Sequence, residues 1–192
     1  DEELEQTTVW WETWASTISY DGPHYDQVLR SLLVLRALTH EDTGGIVAAA
    51  TTSLPEAFGG SRNWDYRYVW LRDASLTLVV LSNHGYAQEG RAWRGWLLRA
   101  LAGDPADVQI MYGLSGERRL AEWDLSSLPG YEGAAPVRGG HGAYLQYQGD
   151  VFGEVMLALQ KAREAGEKET RFSWALQRAL LQFVEENWTR PD

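Results

Sequence analysis

The sequence predicts an all-α protein whose helices alternate with long, glycine-rich loops. Three observations carry that prediction. Apolar residues recur at helical spacing in five separate stretches. The segments between them, residues 45–70 and 126–150, are rich in glycine and aromatics and lack helical periodicity. Only one stretch, Gln109 to Leu125, reads as strand–turn–strand, around Ser115-Gly116. At 192 residues with 44% hydrophobic content, the chain is long enough for one core and too short for two comfortable domains.

Residues 1–22 read as a lead-in, and residues 23–192 as the domain. Trp10, Trp11 and Trp14 need an apolar surface to dock on. Asp21-Gly22-Pro23 then reads as a turn with proline at a helix start. From His24 to Leu38 the apolar set is Tyr25, Val28, Leu29, Leu32, Leu33, Leu35 and Leu38, a helix with a broad buried face. Asp73 to His84 is a second helix, apolar on nearly every side, capped by Gly85. Gln88 to Ala102 is a third, with Trp93, Trp96, Leu97 and Leu101 inward. Gln146 to Ala165 is a fourth, ended by Gly166. Arg171 to Trp188 is a fifth, with two apolar stripes. One runs through Phe172, Leu176, Leu180 and Phe183; the other through Trp174, Leu181 and Trp188. Two stripes predict neighbours on two sides.

Composition narrows the function classes. A net charge of −10 argues against nucleic acid and anionic membranes as partners, since no basic cluster neutralises phosphates. No cysteine is present, which removes disulfides, thiolate metal sites and cysteine nucleophiles. No run of 18 apolar residues and no basic, apolar leader is visible, so cytoplasmic placement is the default expectation. The four histidines, His24, His40, His84 and His141, lack ligand spacing, and neither metal nor cofactor is expected. Ten tryptophans and nine tyrosines are in excess. Most belong to the core, but aromatic faces also stack on the apolar C–H faces of sugars.

The densest candidate is Asn63 to Asp73, "NWDYRYVWLRD". Arg72 and Asp73 sit at the start of the second predicted helix, after a long loop, with Tyr66, Tyr68 and Trp70 alternating ahead. Asp73 there is accounted for structurally as a partner of the helix dipole. Rings beside a fixed donor and acceptor also suit adjacent hydroxyls of one hexose, which makes a monosaccharide pocket the functional reading.

Four stretches, "RNWDYRYVWLRDASLTL", "QIMYGLSGERRLAEWDLSSLPGYEGAAPVR", "QYQGDVFGEVMLAL" and "ENWTRPD", together resemble the bacterial branch of glycoside hydrolase family 15. That family holds glucoamylases, glucodextranases and some trehalases. The resemblance implies a barrel of six inner and six outer helices, an (α/α)6 barrel. The five predicted helices are part of it, both ends reading as cut from something larger. It implies that Arg72 and Asp73 grip a glucose in subsite −1, that Trp70 walls this subsite, that Tyr66 lies near the developing oxocarbenium ion, and that Arg138 belongs to a loop at the entrance. His141 stands where the family usually has Asn, and Gly149 where an aliphatic precedes Asp150, so the second loop is expected to depart in shape.

The implied reaction is inverting hydrolysis of an α-glucosidic bond in a glucose-containing oligosaccharide or disaccharide. An acid and a base carboxylate are then roughly 6.5–9.5 Å apart. The family's acid follows a "PD" such as Pro191-Asp192, so both groups are expected beyond residue 192. The isolated chain is expected to be inactive. Its broken barrel edges are expected to contact the remainder of the domain or another copy. Two alternatives stay open: a non-catalytic sugar-binding or scaffold domain of the same ancestry, and a helical interaction module whose aromatics are all core.

Overall fold

The computed structural model describes residues 1–101 and 107–192. Among these, six α-helices form: α1 Glu2–Ala15, α2 Tyr25–Ala37, α3 Leu71–Asn83, α4 Ala87–Ala100, α5 Asp150–Glu164 and α6 Arg171–Asn187. All five predicted helices are found: α2 and α6 match within a residue at each end, and α3, α4 and α5 have shifted ends. Ala102, the predicted end of the third, lies outside the described residues. The all-α fold class stands, with only two small antiparallel strand pairs beside it.

The lead-in is a helix. Three acidic residues, Glu2, Glu3 and Glu5, occupy its first turn, where the N-terminal dipole favours them. None of its residues is fully buried. It is held by one ring: Trp14 stacks on Tyr86, 3.9 Å between centroids and 10° between planes, and its Nε1 donates to Glu89 Oε1 at 2.7 Å. Trp10 covers the Arg36 guanidinium at 4.9 Å. The docking surface expected for these tryptophans is thus a ring face and a cation.

The core is built on α3, α4 and α5. Trp93, Trp96 and Leu97 of α4 are sealed, as is Leu71, Ala74 and Leu78 of α3 and Val151, Val155 and Leu159 of α5. Burying side chains of this size stabilises by roughly 1.5–3 kcal/mol each. The inward face predicted for Trp93, Trp96, Leu97 and Leu101 is found. α3 is less enclosed than its composition suggests, since Leu76 and Val80 face solvent. α2 buries only Leu32 and Arg36.

α6 corrects the expectation of two packed faces. Leu176 and Leu180 are buried, but Phe172, Trp174, Leu181 and Trp188 are all more than half exposed. Its N-terminus is closed by a capping box: Thr170 Oγ1 accepts from Ser173 N at 3.1 Å, and Ser173 Oγ accepts from Thr170 N at 2.9 Å.

The predicted hairpin is also corrected. Its turn forms: Gly113 N donates to Glu117 O at 2.8 Å, and Gly116 takes φ +94°, open to glycine. Its strands do not pair with each other. β2 (Met111–Tyr112) pairs with β1 (Val69–Trp70), and β3 (Trp123–Asp124) pairs with β4 (Arg138–Gly139). The long first loop supplies the preferred partner. Residues 46–70 fold back as an irregular ribbon, with Ala48 N to Tyr68 O, Ala49 N to Tyr66 O and Ser53 N to Trp64 O at 2.8–3.0 Å. Longer-range pairing wins because it also seals Val69, Met111 and Tyr112 at no exposure.

Trp14→Ala removes the only ring holding α1 to α4's N-terminal end. Hydrogen exchange should show α1 amides losing protection while α3–α5 keep theirs and the melting temperature moves by a few degrees. Unchanged α1 protection would contradict this attachment.

Candidate functional site

The ribbon alternates with period two, and the alternation sorts it into two sides. Asn63 and Asp65 point inward and are fully buried. Trp64, Tyr66 and Trp70 turn the other way and line a cleft of about 550 Å³. Tyr68 breaks the series and packs instead beside Leu114 and Leu120. Facing the rings are Arg72 and Asp73 from the first turn of α3, and His141, Gly142, Ala143, Gln146 and Gln148 from the loop before α5. Glu56, Arg62 and Glu122 lie at the rim. Of the residues read from the sequence, Tyr66, Trp70, Arg72 and Asp73 therefore meet in one hollow.

Arg72 is fixed from three directions. Its Nη1 donates to Gln148 Oε1 and Asp150 Oδ2, both at 3.1 Å, and its Nη2 lies 3.6 Å from Asp73 Oδ2. The Asp150 hydrogen bond raises its pKa further, so it is a permanent cation. Asp73 Oδ2 is shielded and accepts no hydrogen bond among the described residues. The pair thus sets a held donor beside a carboxylate whose side chain is 45% exposed, although its Oδ2 is not.

Arg138 is not among the residues lining the cleft. Its guanidinium stacks behind Trp64 at 4.6 Å and donates from Nη1 to the carbonyls of Ser61 and Asn63 at 2.9 and 3.2 Å. It braces the wall from the rear.

Below the cleft sits Asp65. Its Oδ1 accepts from Arg67 N at 3.2 Å and Arg67 Nε at 2.9 Å; its Oδ2 accepts from Arg67 Nη2 at 2.9 Å and Gly140 N at 3.2 Å. One sealed carboxylate therefore ties the first loop to the second. Gly140 takes φ +76°, and a side chain there would strike the Ala121 carbonyl.

His141 is the residue whose position the sequence reading missed. Its ring stands 5.0 Å from Trp70, edge to face, and 5.8 and 6.0 Å from Trp64 and Tyr66. Its Nδ1 accepts from Ala143 N at 3.2 Å, capping the short 3-10 turn Gly142–Leu145. Burial lowers its pKa below the ordinary imidazole value; Glu122 and Asp65 raise it and Arg138 lowers it further, by smaller amounts. Trp64 was also missed, although the period-two run Trp64, Tyr66, Trp70 carries that signal.

A larger cleft, about 780 Å³, opens between α1 and α4. Its charged groups are already paired, Arg36 with Glu41 and 3.6 Å from Glu89, and Arg91 3.7 Å from Glu167. It is the seam left by a lightly docked helix. Among the described residues no cluster of His, Asp or Glu has the makings of a metal site, and no helix is long and apolar enough to cross a membrane.

The model of glycosyl hydrolases family 15 matches residues 22–192. The chain belongs to that family. It is similar to the trehalase of Thermoplasma acidophilum, 35% identical over 189 residues, covering 98% of this chain and 32% of that protein. The trehalase of Thermoplasma volcanium is 36% identical over 189 residues, covering 98% and 30%. The trehalase of Mycobacterium tuberculosis is 36% identical over 191 residues, covering 97% and 28%. The chain thus spans about a third or less of these curated relatives. No solved structure matches it.

Two outcomes follow from this geometry. Asp65→Ala strands the Arg67 guanidinium and Gly140 N–H and should cost about 2–3 kcal/mol of stability, less than a fully buried pair because Arg67 is half exposed. Denaturant titration measures it, and a loss under about 0.5 kcal/mol would show the tie to be idle. His141 has its folded pKa lowered, so the stability tied to its neutral form is complete above its unfolded value near 6.5 and is lost as pH falls through the folded value. Wild type should therefore lose more stability than His141→Asn on acidification below about pH 6.5. Parallel losses would remove His141 as the cause.

Proposed function

We propose that the protein carrying this chain hydrolyses an α-glucosidic bond with inversion, and that this chain supplies the glucose-gripping side of subsite −1. The observation that carries the reading is the fixed Arg72–Asp73 pair facing Tyr66 and Trp70 across one hollow. A pyranose presents apolar C–H faces and a ring of hydroxyls. The rings match the first, and the Arg72 guanidinium and the Asp73 carboxylate match two neighbouring hydroxyls. The relatives are named trehalases, which favours trehalose, a disaccharide of two glucoses, over longer glucans.

The reaction needs a carboxylic acid to protonate the leaving oxygen and a carboxylate to activate water. We assign neither to these residues. Glu56 pairs with Arg62 at 3.1 Å, Glu122 accepts from Gly142 N at 3.1 Å and Asp150 accepts from Arg72, while Asp73 is assigned to binding. Acid and base then lie on the rest of the protein, which also covers the open stripe of Trp174, Leu181 and Trp188 on α6. An apolar stripe left in water is an interaction site.

In the full-length protein, Arg72→Ala and Asp73→Asn should each weaken trehalose or glucose binding by about 10- to 100-fold, the scale of a hydrogen bond to a charged group. Calorimetry reads this. Unchanged affinity in both variants would support instead a domain whose aromatics serve only the core. The isolated 192 residues should show no turnover and should self-associate through α6, with Trp174→Glu plus Leu181→Glu restoring a monomer in size-exclusion chromatography. Turnover by the purified chain would overturn this division of labour.

A further inference from the structure

We propose that His141 is a substrate-binding residue: its Nε2–H donates a hydrogen bond to a hydroxyl of the sugar unit held between Trp70 and the Arg72–Asp73 pair. This rests on the reading of the cleft as a glucosyl site and names one more group that selects its ligand.

The argument starts from the tautomer. Nδ1 accepts the Ala143 backbone N–H, so Nδ1 carries no proton. A neutral ring must then carry it on Nε2. That nitrogen is neither sealed in the core nor bonded to any described protein group, whereas the ring itself lines only this cleft. The chain thus presents one unpaired N–H to the hollow.

The donor is also held rigidly. His141 N donates to Leu120 O at 3.0 Å, Gly140 N is bound by the buried Asp65, and Gly142 N is bound by Glu122 Oε2. Three successive amides are therefore pinned. The ring is wedged among Trp64, Tyr66 and Trp70. A pinned side chain loses little rotamer freedom on binding, which is what makes one hydrogen bond selective. A structural cap alone needs no imidazole, because asparagine or aspartate accepts the same backbone N–H more commonly.

The charges facing the ring bear on its protonation. Glu122 and Asp65 attract a proton to it and Arg138 repels one; Glu56, Arg62, Arg72 and Asp73 share the cleft. Protonation at Nδ1 would set two donors against each other at Ala143 and release the cap.

Two variants separate the roles. Asn at 141 keeps an acceptor for Ala143 N–H but cannot reach as far as Nε2; Gln reaches further with its amide N–H but loses the cap. In the full-length protein, titrated with trehalose by calorimetry, His141→Asn should weaken binding about tenfold, and His141→Gln should recover most of that loss. Among monodeoxy trehaloses, one should bind wild type about tenfold more weakly, while His141→Asn shows no further loss on that same sugar. Equal affinity of wild type and His141→Asn, while Arg72→Ala still weakens binding, would refute the role of His141 and leave the cleft standing. If Arg72→Ala also binds normally, the cleft reading itself fails.

Discussion

Everything at the cleft hangs on one carboxylate that never touches water. Asp65 accepts four hydrogen bonds, three from Arg67 and one from Gly140. A buried, ionised carboxylate is costly unless every lone pair is used, and here the cost is offset by local and distant donors together. The distant donor matters most. It brings the loop carrying His141 against the ribbon carrying Trp64, Tyr66 and Trp70, although 75 residues of chain separate them. Without that tie, two glycine-rich loops have little reason to share a wall.

The helices act as the fixed frame for this arrangement. β1 runs directly into α3, so the last ring of the ribbon, Trp70, also occupies the position just before the helix. Arg72 and Asp73 then emerge in the first turn, aimed back along the ribbon. α5 packs against α3 and carries Asp150, which holds Arg72 from the far side. The core of Trp93, Trp96, Leu97, Val155 and Leu159 thus fixes the distance between donors and rings. Rigid elements of this kind give polar groups carried on loops fixed positions.

Much of this was legible from residue order. Five of the six helices and the inward face of α4 followed from periodicity, because α4's apolar spacing leaves one choice of buried side. Tyr66, Trp70, Arg72 and Asp73 could be grouped because they lie within eight positions of one another. Three things were not legible. α1 had too few apolar residues on one face to announce a packed helix, and Trp14 secures it through a single stack. The hairpin was misassigned because its turn is local while its strand partners are 41–43 and 14–16 residues away. Arg138 reads as an entrance residue in sequence, yet its guanidinium lies behind Trp64.

The sequence by itself determined the all-α class, the family, the helices other than α1 and the cluster of planar and charged groups before α3. These are short-range properties, set by spacing and side-chain type. Only the tertiary structure decided that His141 and Trp64 join that cluster, that Arg138 braces it from behind, and that α6 leaves one stripe open. Those outcomes depend on which loop reaches which, and that is fixed by the need to satisfy buried groups such as Asp65 rather than by any local pattern.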